Sequence, residues 1–231
     1  MTRDPRDPRD LAPAVFLDKD GTLIEDLPYN VDPARIRLAP GVRAGLPALH
    51  AAGYLLVVAT NQSGVARGYF TERDLAAIRD HLEAMCAAMG APLAGFHWCP
   101  HLPPPEGINE YAVECDCRKP EPGLILRAAE EHAIDLGRSW FVGDAWMDVA
   151  AGRRAGCRTV MVGPEWETAA DLQPEVRPDF AVPDLAAAAG IILHEDGRAP
   201  GPDGPPGPDA RPAPTRARSS GRGPHRTGVP A

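Results

Sequence analysis

The sequence predicts an α/β fold, a parallel sheet with helices on both faces. Three observations carry that expectation. Short, continuous apolar runs recur between residues 14 and 193, as strands covered on both faces require. Helix-patterned segments separate them, which gives a β-α-β order. The first run, Ala14-Val15-Phe16-Leu17, leads straight into Asp18-Lys19-Asp20-Gly21-Thr22, and ligand sites in such sheets form beyond the carboxyl ends of strands.

Residues 1–13 open on an Arg-Asp-Pro triplet repeat that cannot bury apolar surface, so this segment is expected to be disordered. Beyond the strand at Ala14, Val42–Ala52 fits a helix, with Pro47 inside it as a local conflict. Tyr54–Thr60 is the clearest strand of the chain. Thr71 with Asp74 resembles a capping box. Leu75, Ile78, Leu82, Met85 and Met89 then fall on one helical stripe suited to core packing. Gly123–His132, Met147–Ala155 and Leu185–Leu193 fit shorter helices. Ser139–Val142 and Arg158–Val162 read as strands, and Asp179–Val182 as a weaker one. From residue 195 to 231 the chain is Pro- and Gly-rich, a disordered tail whose arginines face solvent. One folded domain over residues 14–194 remains.

The 231 residues carry a formal net charge of −8. The tail is basic, so the body is more acidic than that total, which argues against a nucleic-acid partner. No run approaches the ~18 apolar residues that span a bilayer, and the N-terminus has no apolar core of a signal peptide. Five cysteines is an odd count, and without an export signal a disulfide scaffold is not expected. The expectation is a cytoplasmic, monomeric enzyme without a membrane partner.

Four sites at strand ends carry chemistry. Asp18 and Asp20 stand at i and i+2, so in an extended chain they point the same way. One carboxylate can attack phosphorus while its neighbour moves the proton; an ordinary acidic turn is the plain alternative. Thr60-Asn61-Gln62-Ser63-Gly64 closes the second strand and offers neutral donors to phosphate oxygens, or is a simple polar turn. Arg118-Lys119-Pro120 places cations beside a helix N-terminus, where anions are favoured. Among 24 basic residues only Lys19 and Lys119 are lysines, and both fall inside these motifs. A lysine in an arginine-rich chain suits a site that wants a compact point charge. Asp144, after Phe141-Val142-Gly143, could complete an oxygen set for Mg²⁺ with Asp18, or could cap a helix. Asp148, a turn later, is better placed behind the ligands than among them.

Cys99-Pro100-His101 and Cys115-Asp116-Cys117 bring three thiols and an imidazole into two tight pairs. The Pro- and Gly-containing loop between them has no bulky apolar stripe and needs another anchor, which tetrahedral Zn²⁺ supplies. Four protein ligands close such a site, so the Zn²⁺ is structural. His97 is a less well placed substitute for His101, and four unliganded loop residues are the bland reading. Cys86 and Cys157 read as buried small apolar residues.

In this order Asp-x-Asp-Gly-Thr, the strand-end Thr60, Lys119 and Gly-Asp-x-x-x-Asp resemble the haloacid dehalogenase-like phosphatases, over nearly all of residues 14–193. The resemblance implies a Rossmann-like sheet with a minimal cap carrying the zinc-binding loop. It makes Asp18 the nucleophile and Asp20 the general acid/base, with Thr60 and Lys119 steadying the phosphoryl group. Asp18, the backbone carbonyl of Asp20 and Asp144 would hold Mg²⁺. The Cys-x-His…Cys-x-Cys loop further resembles the D-glycero-D-manno-heptose 1,7-bisphosphate 7-phosphatases and the related histidinol-phosphate phosphatases. Ser63 favours the heptose branch, because the histidinol branch more often has an acid there.

That branch implies a phosphorylated sugar as partner and an aspartyl-phosphate route to removal of its 7-phosphate. Asp26, Leu27, Pro28, Tyr29, Thr60, Asn61, Gln62, Ser63 and Arg118 would line the pocket. Arg118 and Arg67 could hold the second phosphate. Lys19 stands where arginine is usual. Ala145 stands where lysine is frequent, which removes a contact to the distal phosphate. Histidinol-phosphate hydrolysis is the nearest alternative. A non-catalytic sugar-phosphate-binding protein should lack one of Asp18, Asp20, Lys119 or Asp144, and all four are present.

Overall fold

The computed structural model describes residues 11–164 and 173–198. Of the disorder expected of residues 1–13 and 195–231, residues 1–10 and 199–231 lie outside the described residues, while Glu195 ends the helix Leu185–Glu195 and Asp196 accepts from the Trp140 indole. Leu11 to Pro13, placed with the N-terminal tail above, make backbone bonds instead: Ala12 N–H donates to Ala133 and Pro13 C=O accepts from Leu55.

Six strands form one sheet in the order β3-β2-β1-β4-β5-β6. They are β1 (Ala14–Leu17), β2 (Leu55–Asn61), β3 (Gly95–Cys99), β4 (Trp140–Gly143), β5 (Arg158–Met161) and β6 (Phe180–Ala181). Every pairing is parallel, with Phe16 opposite Val57 on one side and Phe141 on the other. Parallel strands need crossovers, and α1 (Val42–Ala51), α2 (Glu72–Ala88), α3 (Gly123–Glu131), α4 (Trp146–Ala155) and α5 (Leu185–Glu195) supply them or flank the sheet. Alternate side chains of β1 enter different cores. Val15 and Leu17 pack with α1, α2 and α5; Ala14 and Phe16 pack with α3 and α4. This double burial is why the strand sequences read as unbroken apolar runs.

The capping box at Thr71 is present: its hydroxyl and Asp74 exchange bonds with each other's backbone N–H. Leu75, Ile78 and Leu82 are buried, and Met85 and Met89 pack part-buried at the core's edge. Pro47 does sit inside α1. The carbonyl it leaves without an intrahelical donor belongs to Arg43, an exposed residue, so water can serve it. Strand β3 was not among the apolar runs, because Gly-Phe-His-Trp-Cys at the sheet edge is only partly buried. Cys86 and Cys157 are buried thiols, as expected.

Chain order reverses across β1, whose neighbours are β2 and β4, and such a switch point opens a crevice at the strand ends. The ends of these three strands carry Asp18, Thr60-Asn61 and Asp144.

Candidate active site

Burial of β1 fixes Asp18 at the mouth of the crevice, but the extended chain ends sooner than the i, i+2 argument supposed. A turn starts at Lys19, whose carbonyl accepts from Leu23 and Ile24. Asp18 Oδ1 accepts from the Lys19 N–H at 2.7 Å and pairs with Lys119 Nζ at 2.8 Å. Among the described residues its Oδ2 has no hydrogen-bond donor. Asp20 pairs with Lys19 Nζ at 2.9 Å and accepts from Gln62 Nε2 at 2.9 Å. Burial raises the Asp20 carboxyl above the usual range; Lys19 opposes that shift and Asp18 adds to it. Gln62 Nε2 also donates to Thr60 Oγ1 at 3.1 Å, so one amide ties the second motif to the first.

Lys119 is 2% exposed, and all three of its ammonium donors are engaged. They reach Ala59 C=O at 2.9 Å, Asp18 at 2.8 Å and Asp148 Oδ1 at 2.6 Å. Its carboxylate partners, Asp148 before Asp18, hold the ammonium protonated against the cost of burial. Asn61 holds the Lys119 backbone on both sides: its Nδ2 donates to the Lys119 carbonyl and its Oδ1 accepts from the Lys119 N–H, each at 3.0 Å.

Asp144 is not a helix cap. The N-cap of α4 is Ala145, whose N–H donates to Asp148 Oδ2 at 3.0 Å. With one oxygen on Lys119 and the other on Ala145, Asp148 acts as the prop behind the lysine. The Asp144 carboxylate lies against Gly21, which has φ +80°; a Cβ there would come within 2.1 Å of Asp144 Oδ2. Thr22 Oγ1 donates to its Oδ1 at 3.4 Å. Carboxylate oxygens of Asp18, Asp144 and Asp148 lie within 4.8 Å of one another. Burial first, then Asp18 and Asp148, pushes the Asp144 carboxyl up to about 7. Three carboxylates facing one ammonium leave negative charge uncompensated, and the donor set is all oxygen. Both fit a divalent hard cation such as Mg²⁺.

Beside Asp20 lies a cavity of about 240 Å³, lined by Lys19, Asp26, Pro28, Tyr29, Asn30, Asn61, Gln62, Ser63 and Gly64. Six of the expected pocket residues are thus brought together. Leu27, Thr60, Arg67 and Arg118 do not line it. The Arg67 guanidinium pairs with Glu106 at 3.1 Å, and Arg118 Nη1 donates to the His101 carbonyl at 3.2 Å. Asn30 was missed, and so was Lys19 as a lining group, whereas Gly64 closes the strand-end motif already singled out.

The four sulfur and nitrogen donors converge as their spacing suggested. Cys117 Sγ lies 3.2 Å from both Cys99 Sγ and His101 Nδ1 and 3.3 Å from Cys115 Sγ. Cys99 Sγ lies 3.7 Å from Cys115 Sγ and 3.6 Å from His101 Nδ1. Tetrahedral Zn–S bonds of ~2.3 Å place sulfurs about 3.8 Å apart, so these separations suit a Zn²⁺ ion and are far too long for a disulfide. Hydrogen bonding from Cys99 chiefly, and from Cys115 and His101, pulls the Cys117 thiol down to about 5, towards the thiolate a metal needs. His97 stays outside this set. The loop has a second anchor that its sequence did not suggest: Asn109 Nδ2 donates to Val65 C=O at 2.7 Å and Tyr111 Oη to Glu72 at 2.7 Å.

Comparison with known proteins fits this arrangement. Residues 116–188 match a family model described as "HAD-hyrolase-like". The D-glycero-beta-D-manno-heptose-1,7-bisphosphate 7-phosphatase of Pasteurella multocida is 43% identical over 150 residues, 64% of this chain and 80% of that one. The chain belongs to the D-glycero-D-manno-heptose 1,7-bisphosphate 7-phosphatase family. Family membership makes it a phosphoric monoester hydrolase with a HAD-like fold. The alpha-anomer 7-phosphatase of Burkholderia mallei is 40% identical over 149 residues, 64% of this chain and 78% of that one. A D,D-heptose bisphosphate phosphatase from B. bronchiseptica, crystallised with magnesium and phosphate, is 34% identical with a TM-score of 0.67. That alignment covers 79% of this chain and 99% of that chain. Among the described residues no helix is long and apolar enough to cross a membrane.

Proposed function

We propose that the chain hydrolyses the 7-phosphate of D-glycero-D-manno-heptose 1,7-bisphosphate through an aspartyl-phosphate on Asp18. The observation that carries this reading is the pairing of the Asp18–Lys119–Asp148 chain with a sugar-sized cavity bounded by Lys19 and Asp20. Asp18 Oδ1 is held by two donors, which leaves Oδ2 as the oxygen free to attack phosphorus in line. The raised carboxyl of Asp20 carries the proton to the departing C7 oxygen and later takes one from the attacking water. Lys119 keeps Asp18 ionised and oriented, and with the Thr60 hydroxyl offers compensation for charge on the transferring group. Asp18, Asp144 and the Asp20 carbonyl are the groups to hold Mg²⁺, which supplies charge neutralisation to the phosphoryl oxygens when bound. Cys99, His101, Cys115 and Cys117 are the groups to hold a structural Zn²⁺. Lys19 is placed to meet the second phosphate, whereas Arg67 and Arg118 need new rotamers to reach it.

The relatives are named for different anomers, so the test uses both. Phosphate release is measured with each anomer of the bisphosphate and with histidinol phosphate, with and without Mg²⁺. Mg²⁺-dependent preference for a heptose anomer is expected. Preference for histidinol phosphate would keep the catalytic roles and overturn the substrate.

A further inference from the structure

Another cluster of ligating groups stands apart from both sites described above. His97 lies in the middle of edge strand β3, on the same face as Gly95 and Cys99. Glu131 ends α3 and His132 caps it. One donor atom from each of the three lies within 4.8 Å of the others. The two Nε2 atoms overhang Gly95, where a Cβ would sit 2.6 Å from His132 Nε2 and 2.9 Å from His97 Nε2. Only a glycine there lets both rings turn inward. Both Nε2 atoms are buried, and neither has a hydrogen-bond partner, an arrangement that is unfavourable if nothing fills it. The Glu131 carboxylate straddles them, one oxygen 3.9 Å from His97 Nε2 and the other 3.9 Å from His132 Nε2. Those separations are too long for hydrogen bonds.

We propose that His97, Glu131 and His132 bind a borderline divalent cation, with Zn²⁺ the best match, and tie β3 to the C-terminus of α3. Zn–N bonds of ~2.0–2.1 Å bring two ring nitrogens to about 3.3 Å, so donors now within 4.8 Å of one another have at most about 1.5 Å to close. Two imidazoles and one carboxylate suit Zn²⁺, Co²⁺, Ni²⁺ or Cu²⁺ and disfavour Mg²⁺ and Ca²⁺. The carbonyl end of α3 favours a cation, and a neutral imidazole offers a ring-nitrogen lone pair to a metal. Three protein ligands leave one position for water. The site shares no ligand with the Cys–His clip, although Cys99 stands two residues along the same strand.

Zn²⁺ binding to the full chain, measured by competition with a chromophoric chelator, tests this. With excess Mg²⁺ present to occupy the carboxylates of the crevice, the wild-type chain should take two equivalents. Co²⁺ substitution should give one equivalent with thiolate charge-transfer absorption in the near ultraviolet and a second without it. Glu131→Gln, a change at an exposed side chain, and His132→Gln should each weaken the thiolate-free equivalent tenfold or more and leave the thiolate-bound one unchanged. A wild-type chain lacking any thiolate-free equivalent would overturn the proposal. So would a thiolate-free equivalent that both variants retain at full affinity.

Discussion

The crevice and the clip each gather four chemically active side chains, yet they are held by different means. Asp18, Thr60, Lys119 and Asp144 project from the ends of buried parallel strands or are pinned to them, as Lys119 is by Ala59 and Asn61. Cys99, His101, Cys115 and Cys117 come mostly from irregular backbone, and only Cys99 lies in a strand. The crevice geometry follows from the core; the clip geometry rests on irregular backbone that a metal ion would tie together. One protein therefore contains a site that the fold makes and a site that makes part of the fold.

Four experiments break or sharpen that contrast. The largest effect is expected from Asp18→Asn, which removes the attacking charge and leaves every strand in place. Steady-state phosphate release should fall about 10³-fold or more, with the melting temperature within a few degrees of wild type because the amide keeps the side chain's shape. Lys119→Met should damage both levels. It leaves Asp18 and Asp148 facing each other without a cation and should cost about 3–5 kcal/mol in denaturant unfolding as well as activity. Activity above a tenth of wild type would refute the role given to Lys119.

Removal of Zn²⁺ by a chelator, or Cys117→Ser, should cost roughly 3–4 kcal/mol, the contribution of a ligand present at 100 to 1,000 times its Kd. Hydrogen exchange should locate the loss: amides of residues 100–118 lose protection while those of β1 and β4 keep theirs. Equal loss in both regions would erase the distinction between the two sites. The smallest effect belongs to the capped end of α2, where the Thr71 side chain bonds to Asp74. Thr71→Ala removes one capping bond and should cost ~1 kcal/mol, with phosphate release within about twofold of wild type.

What could be read from the sequence follows the same division. Strands buried on both faces leave unbroken apolar runs, so β2, β4 and β5 were legible to within a residue or two. The edge strand β3 was not, because half-burial removes that signature. The identities of Asp18, Asp20, Lys119 and Asp144 stood out as charges at apolar run ends, and the thiol spacing announced the clip. The partnerships did not stand out. That Asn61 clamps the Lys119 backbone, that Asp148 props its ammonium, and that Gln62 links Thr60 to Asp20 are contacts between residues separated by as many as 58 positions. Spacing along a chain carries no trace of them. Arg67 and Arg118 lie off the cavity for a related reason: their guanidinium groups are bonded to Glu106 and to the His101 carbonyl.

The bonds at the far rim of the sheet set how the molecule can be handled. Asp196 accepts from the Tyr54 hydroxyl and the Trp140 indole, groups that precede β2 and open β4, while the Arg198 guanidinium stacks 4.5 Å over the Tyr54 ring. Leu11 and Ala12 meet Arg138 and Ala133 at that same rim. The chain thus enters and leaves this region a full strand length, about 20 Å, from the crevice. A label placed at Leu11 or Arg198 would therefore sit away from the crevice, and the enzyme would keep its mouth open to the solution.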